Sequence, residues 1–396
     1  MRYENTVIPL DECWCSPFVR WQGPTANLNS LELAEQVASR ALQRRGRQWP
    51  IEELILGWTI PQPEAFYGAP TLAARLGFPH VSGPMVSQAC ATSVAAIHIA
   101  AMAQDRQRHL ARLVITTDRT SNGPQLLYPR TDAPGGAPAS EHWVLHSFER
   151  NPITGEGMLA TAEHVAAEAG FEKRQLDELT ARRYAQYEDA LADDRAFQRA
   201  WMIPVTVGRG RRSAEIDADV GIRPTTLADL AGLEPVIPTG TVSYGSQTHP
   251  ADGTAGLVVT SPEVARDHAA DGPNIRVIAS GFSRVAAGTM PKAPVPAARA
   301  ALNDAGLRIA DMDVIKTHNP FIVNDLWFAR ETGADAEAMN PCGCSLVYGH
   351  PQGPTGARGV IELAHVLAAR GGGRGLFAGC AAGDTGAALV IEVVSS

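Results

Sequence analysis

Residues 355–379, TGARGVIELAHVLAARGGGRGLFAG, read as a helix, a glycine break and a short apolar strand. Residues 90–117, CATSVAAIHIAAMAQDRQRHLARLVITT, repeat that plan with a polar break in place of the glycines. A second pair of stretches is repeated as well. LELAEQVASRALQRRG (31–46) leads into the apolar run IEELILGWT (51–59), and PVPAARAALNDAGLRIADMDVIKTH (294–318) has an Ala-rich helix, a glycine stop, a turn and a strand. The chain therefore reads as two copies of one β/α unit. Helices alternating with short apolar strands predict an α/β fold of largely parallel sheets with helices on their faces, and two such halves stack as layers. Between the halves the texture changes: TDAPGGAPAS is loop-like, while MLATAEHVAAEAG and LDELTARRYAQYEDALADD are amphipathic helices. The expected organisation is an N-terminal half over 1–118 plus 240–265, an inserted subdomain over 119–239 and a C-terminal half over 266–396.

With 396 residues, 45% hydrophobic and 19% charged, the chain has material for a large core and two or three compact units. A net charge of -8 argues against a nucleic-acid partner, and the longest basic block is GRGRR at 208–212. The opening MRYENTVIPLDE carries acidic residues where an export signal needs a basic start and an apolar stretch. The most apolar helical run, Ala89 to Ala103, contains His98 and falls short of the roughly 20 residues a membrane span requires. A cytoplasmic location with no membrane partner is expected. Six cysteines in such a chain read as reduced thiols. Cys13/Cys15 and Cys342/Cys344 are C-x-C pairs, not the C-x2-4-C of structural zinc sites, so no metal is expected.

Four residues stand at the ends of strands in the repeated core. Cys90 follows the apparent strand PMV and opens a helix, where unpaired N–H groups and the positive end of the dipole favour thiolate over thiol. Its own amide points where a carbonyl under attack gathers negative charge, as part of an oxyanion hole. His350, in YGHPQGPTGAR, lies between a glycine and a proline that aim its imidazole, as a base requires. His318 ends the strand before NPF, and Cys380 ends a strand before a glycine-rich turn. Strand C-terminal ends are where ligands bind in open parallel sheets. His98 reads as a packed core residue, and Arg209, Arg211 and Arg212 as a solvated basic loop.

The order of these motifs resembles the thiolase family, over nearly the whole chain. SPFVRWQG (16–23) is similar to the family's Thr-Pro-Phe-Gly opening, QACATSVAAI to its nucleophile turn, and GMLATAEHVA to the Met-Gly-x-Thr-Ala-Glu start of its loop domain. GTVSYGSQTHPADGTAG and MPKAPVPAARAAL resemble two further family segments. HNPF occupies the Asn-Glu-Ala-Phe position, and YGHPQGPTGAR and CAAGDTG match the histidine and second-cysteine motifs. The resemblance implies a duplicated core layered α-β-α-β-α with an inserted loop subdomain, and acyl transfer through an acyl-Cys90 intermediate. It implies that His350 takes the thiol proton, that Cys380 is the acid/base, and that the amides of Cys90 and Ala382 hold the acyl oxygen. His350 and His318 then hold the thioester oxygen of the second substrate. Coenzyme A and acyl-CoA are substrates and no cofactor is permanently bound. By position in the motifs, CoA lies near Arg223 and Thr248, with pantetheine near Met158 and Met290, Arg209, Arg211 and Arg212 are further candidates for its phosphates, and His249 borders the acyl pocket.

Departures from the pattern mark the substrate as non-standard. His318 stands where the family commonly has asparagine and is similar to the His-Asp variant of sterol-carrier-type thiolases. TTDRTSN (116–122) replaces Gly-Gly-x-Glu-x-Met-Ser, Ala382 replaces a glycine, and PCGCS (341–345) replaces Asn-Gly-Gly-Ala. Two other readings stand beside the leading one: a ketosynthase-like condensing enzyme, against which the second cysteine speaks, and a subunit that needs a small accessory protein. A homodimer or homotetramer is expected, since such a duplicated core buries an edge strand against a second copy.

Overall fold

Helices Thr92–Gln104 and Gly353–Ala369 pack on each other between two sheets. The computed structural model describes residues 1–46, 48–268 and 272–394. Every residue from Gly353 to Ala364 is buried, because this helix has protein on all sides and its two charged residues in that span, Arg358 and Glu362, are paired. Its glycines permit the approach: a Cβ on Gly359 would come within 2.4 Å of the Phe377 ring.

The first sheet runs in the order Cys13–Cys15, Ala251–Val259, Ala111–Arg119, Ile51–Gly57, Met85–Val86, with Val19–Arg20 also paired to Ala251–Val259. The second runs Val7–Pro9, Asn274–Arg284, Thr385–Val394, Gly373–Ala381, Val314–His318. Helices Ser30–Arg45 and Gly68–Arg75 cover the outer face of the first sheet, and Pro294–Ala305 that of the second. The layers are therefore α-β-α-β-α, the mixed α/β architecture expected.

The sheets are mixed, not largely parallel. Among the strands of the described residues, parallel pairing joins Ile51–Gly57 to its two neighbours and Val314–His318 to Gly373–Ala381. These are the strands of the repeated stretches, joined by crossover helices as parallel strands must be. Gly373–Ala381 and Thr385–Val394 are separated by a three-residue turn, Ala382 to Asp384, which allows only a hairpin. Ala251–Val259 returns from the insert antiparallel to all three of its partners. Val7–Pro9, at the start of the chain, pairs with Asn274–Arg276 at the edge of the second sheet.

Residues between the two halves carry the helices Trp143–Glu149, Met158–Ala169 and Lys173–Asp189. Two fully buried ion pairs tie this region to the core. Both terminal nitrogens of Arg358 reach Asp219 at 2.7 Å, and Arg183 Nε reaches Asp325 at 2.8 Å. The Arg358 guanidinium lies 3.5 Å from the Tyr348 ring centre and also donates to Glu362 at 2.9 Å; Glu362 pairs in turn with Lys316. His98 is half-buried between the central helix and the second sheet, against Tyr3, Phe282 and the Ser280 hydroxyl. Arg209, Arg211 and Arg212 are exposed. Among the described residues no helix is long and apolar enough to cross a membrane.

Candidate active site

Cys90 sits in a tight turn between Met85–Val86 and the helix beginning at Thr92. Ala89 takes the left-handed conformation (φ +46°) that side chains usually avoid, and Thr92 pins the turn by donating to Ala89 O at 2.7 Å and accepting from Gln88 N at 2.8 Å. The strained corner thrusts the thiol towards the second half of the molecule.

His350 meets it there, Nε2 lying 3.0 Å from Cys90 Sγ and Nδ1 2.6 Å from Thr355 Oγ1. The turn that carries the imidazole is fixed from both sides. His350 N donates to His249 O at 2.9 Å, and Gly353 N donates to Asp118 Oδ2 at 2.9 Å. Asp118, fully buried, also accepts from Thr59 N at 2.8 Å and Ile60 N at 3.0 Å. Burial lifts its pKa to about 7 against the pull of those four donors, Thr59 supplying two of them.

His318 ends Val314–His318 and lies almost face to face with His350, ring centres 4.1 Å apart. Its Nδ1 is 2.8 Å from Ser345 Oγ, and its buried Nε2 has no hydrogen-bond partner among the described residues. Burial holds His318 down at about 3, and holds His350 well below the ordinary imidazole range, helped by repulsion from His318. Both rings rest neutral, with a lone pair free to accept a proton. One ring nitrogen of each and the Cys90 sulfur lie within 4.8 Å of one another, the one group with such spacing among the described residues; neither C-x-C pair forms another. The Nε2 to Sγ hydrogen bond is short enough for a proton to pass between the two atoms.

Cys380, at the end of Gly373–Ala381, accepts from Asn324 Nδ2 at 3.2 Å. Burial raises its pKa well above that of a free thiol, and a thiolate at Cys90 would raise it further. At Cys90 the pull of the helix start towards thiolate is opposed by burial. Burial pushes the thiol up to about 12, although the N–H groups of Ala382 and of Cys90 itself bond to the sulfur and pull the other way. Desolvation outweighs the helix end. Cys90 therefore rests as a thiol.

A cavity of about 450 Å³ opens over Cys90, His350 and Ala382. Its walls include Met158, Leu159, Thr248, Met290, Phe321, Phe148 and Trp143, the last fixed by an indole N–H bond to Thr59 O at 2.9 Å. Of the residues expected near CoA, Met158, Thr248 and Met290 line this cavity; Arg223 is exposed outside it. Thr248 Oγ1 is committed to Ser345 O. His249 does not line the cavity but packs behind the His350 turn, against Gly349. Sequence reasoning missed Asn324, Ser345, Thr355 and Asp118, which touch the four expected residues or their turns. Thr355 lay within a recognised motif, Asp118 and Ser345 within TTDRTSN and PCGCS, read only as departures from the family pattern, and Asn324 carries no local signal.

Two family models, described as the thiolase N-terminal and C-terminal domains, match residues 13–263 and 273–393. A beta-ketoadipyl-CoA thiolase of Pseudomonas knackmussii is 30% identical, the match covering 96% of this chain and 97% of that protein. The crystal structure of Bacillus anthracis acetyl-CoA acetyltransferase superposes with a TM-score of 0.89 at 27% identity, covering 99% of this chain and 100% of the other. Human mitochondrial 3-ketoacyl-CoA thiolase in complex with CoA shares the fold, with a TM-score of 0.90 at 23% identity and 99% coverage of both chains. Matched along both halves, the chain belongs to the thiolase family and is an acyltransferase of CoA thioesters, working by thiolytic cleavage or the reverse condensation.

Proposed function

We propose that the chain carries an acyl group on Cys90 between two CoA thioesters, with His350, His318 and Cys380 dividing the proton and charge traffic. The observation that carries this reading is the 3.0 Å contact of His350 Nε2 with Cys90 Sγ at the cavity, beside the Ala382 amide. In the thiolytic direction, Cys90 passes its proton to His350 and its sulfur attacks the 3-keto carbon. The oxygen on that carbon is stabilised by the N–H groups of Cys90 and Ala382. The C2–C3 bond breaks, and the departing enolate oxygen is held by His350 with His318. Cys380 protonates the α-carbon. The resulting Cys380 thiolate takes the proton of incoming CoA, whose sulfur attacks the acyl group, and Cys90 leaves with the proton stored on His350. Condensation is the same path reversed.

The acyl end of the cavity is walled by Trp143 and Phe148, and its one carboxylate among the described residues, Glu149, is exposed. A beta-ketoadipyl group carries a distal carboxylate, for which the described cavity wall has no Arg or Lys. This supports an uncharged acyl group, branched or aromatic. CoA is expected to reach the exposed Arg223 with its phosphates. A homodimer or homotetramer in the cytoplasm is part of the same reading; Phe66 and Tyr67 are 84% and 69% exposed, a surface suited to a second copy.

Intact-protein mass spectrometry after incubation with a panel of acyl-CoAs tests the intermediate. One acyl group per chain, absent from Cys90→Ser, is the expected result, with neutral acyl groups ahead of carboxylated ones. A folded wild-type protein that no acyl-CoA modifies refutes self-sufficient acyl transfer and favours the need for a small accessory protein.

A further inference from the structure

Two departures from the family pattern, His318 for asparagine and PCGCS for Asn-Gly-Gly-Ala, meet in the structure. Ser345, the last residue of the second segment, stands 27 positions from His318 and places its Oγ 2.8 Å from His318 Nδ1. The hydroxyl is itself held. Asn319 donates its backbone N–H to Ser345 Oγ at 3.4 Å, and its side-chain Oδ1 accepts from the same hydroxyl at 3.3 Å. Asn319 cannot turn away, because its Nδ2 donates to Asp325 Oδ2 at 2.7 Å and to Cys344 Sγ at 3.1 Å. Asp325 in turn is clamped by Arg183. One end of the imidazole is thus tied through Ser345, Asn319 and Asp325 to an arginine of the region between the two halves.

The other end is not tied at all. Nε2 is buried and unpaired among the described residues, and such an atom is destabilising unless a water or ligand satisfies it. His350, 4.1 Å away between ring centres, has a different support, since Thr355 takes its Nδ1 and Cys90 its Nε2. The two histidines are therefore oriented independently.

We infer that Ser345 is a positioning residue for the enolate step: with its proton given to Asn319 Oδ1, Ser345 Oγ accepts from His318 Nδ1–H and fixes the ring so that the Nε2 lone pair holds a water whose other hydrogen reaches the thioester oxygen of the second acyl-CoA. This rests on the roles proposed above for Cys90 and His318. It adds that Ser345 serves one half of the reaction only, because acylation of Cys90 runs through His350 and Thr355.

The test measures the two halves separately on the full chain. Acylation of Cys90 is followed with the best acyl-CoA of the panel, and enolate formation by exchange of the acetyl-CoA methyl protons with D2O. Ser345→Ala is expected to leave acylation within about twofold of wild type and to slow exchange roughly 10- to 100-fold, the loss typical of a misplaced oxyanion group. Ser345→Thr and Ser345→Val, nearly equal in volume, separate hydroxyl from packing: the threonine variant is expected to exchange at least 10-fold faster than the valine variant. Equal exchange in those two, or equal slowing of acylation and exchange in Ser345→Ala, overturns the inference. A wild-type protein that is never acylated defeats the acyl-transfer reading and the inference with it. Normal acylation with unaltered exchange in every Ser345 variant removes the inference alone.

Discussion

At Cys90 and the two histidines, burial governs the resting charges. It raises the thiol and lowers both imidazoles, so the uncharged pair is the ground state. His318 makes this measurable. Its folded pKa of about 3 lies below the unfolded value near 6.5, so below pH 6.5 the unfolded chain binds a proton that the folded ring refuses. Its contribution to stability is complete above pH 6.5 and falls as the pH drops towards 3. Between pH 7.5 and pH 5 the wild type is expected to lose roughly 1–2 kcal/mol more than His318→Asn in urea unfolding. Equal losses refute the assignment of a depressed pKa to this ring. The four reactive side chains were legible in the sequence because each sits in a short motif at the end of an apolar run. Their supports were not. Asn324 reaches Cys380 from a helix 56 residues away, and Asp118 reaches Gly353 across 235 residues, separations over which spacing carries no information.

The turn before His350 shows what an element demands of its residues. Gly349 has φ +92°, and a Cβ there would lie 2.8 Å from His249 Nε2 and 2.9 Å from the Ala251 Cβ. Gly371 has a similar φ, +88°, but a Cβ there would meet nothing within 4 Å. Gly371→Ala is expected to be destabilising by about 1 kcal/mol from backbone strain alone, and Gly349→Ala by about 2–4 kcal/mol, with slower acylation of Cys90. Thermal unfolding of the two variants checks the difference; equal shifts refute a packing role for Gly349. The repeated helices and strands were readable from apolar periodicity. Strand direction was not, since the hairpin over Ala382 to Asp384 and the return of Ala251–Val259 are fixed by which strands become neighbours in space, and periodicity within one strand is the same for either direction.

For the molecule as a whole, the buried pair of Arg358 and Asp219 joins the central helix to the region between the halves. Arg358→Ala leaves Asp219 uncompensated and is expected to be destabilising by about 3–5 kcal/mol in urea unfolding, whereas Arg358→Met combined with Asp219→Asn is expected to lose less. Additive losses in the double variant refute a coupled pair. Val7–Pro9 adds a condition of timing, because its partner strand starts only at Asn274. During synthesis the opening segment emerges long before anything can pair with it. At roughly 5–20 residues per second, some tens of seconds pass before that edge is closed. Throughout that wait the ribosome carries a chain whose beginning is still unfinished, and only the arrival of its last third seals the molecule.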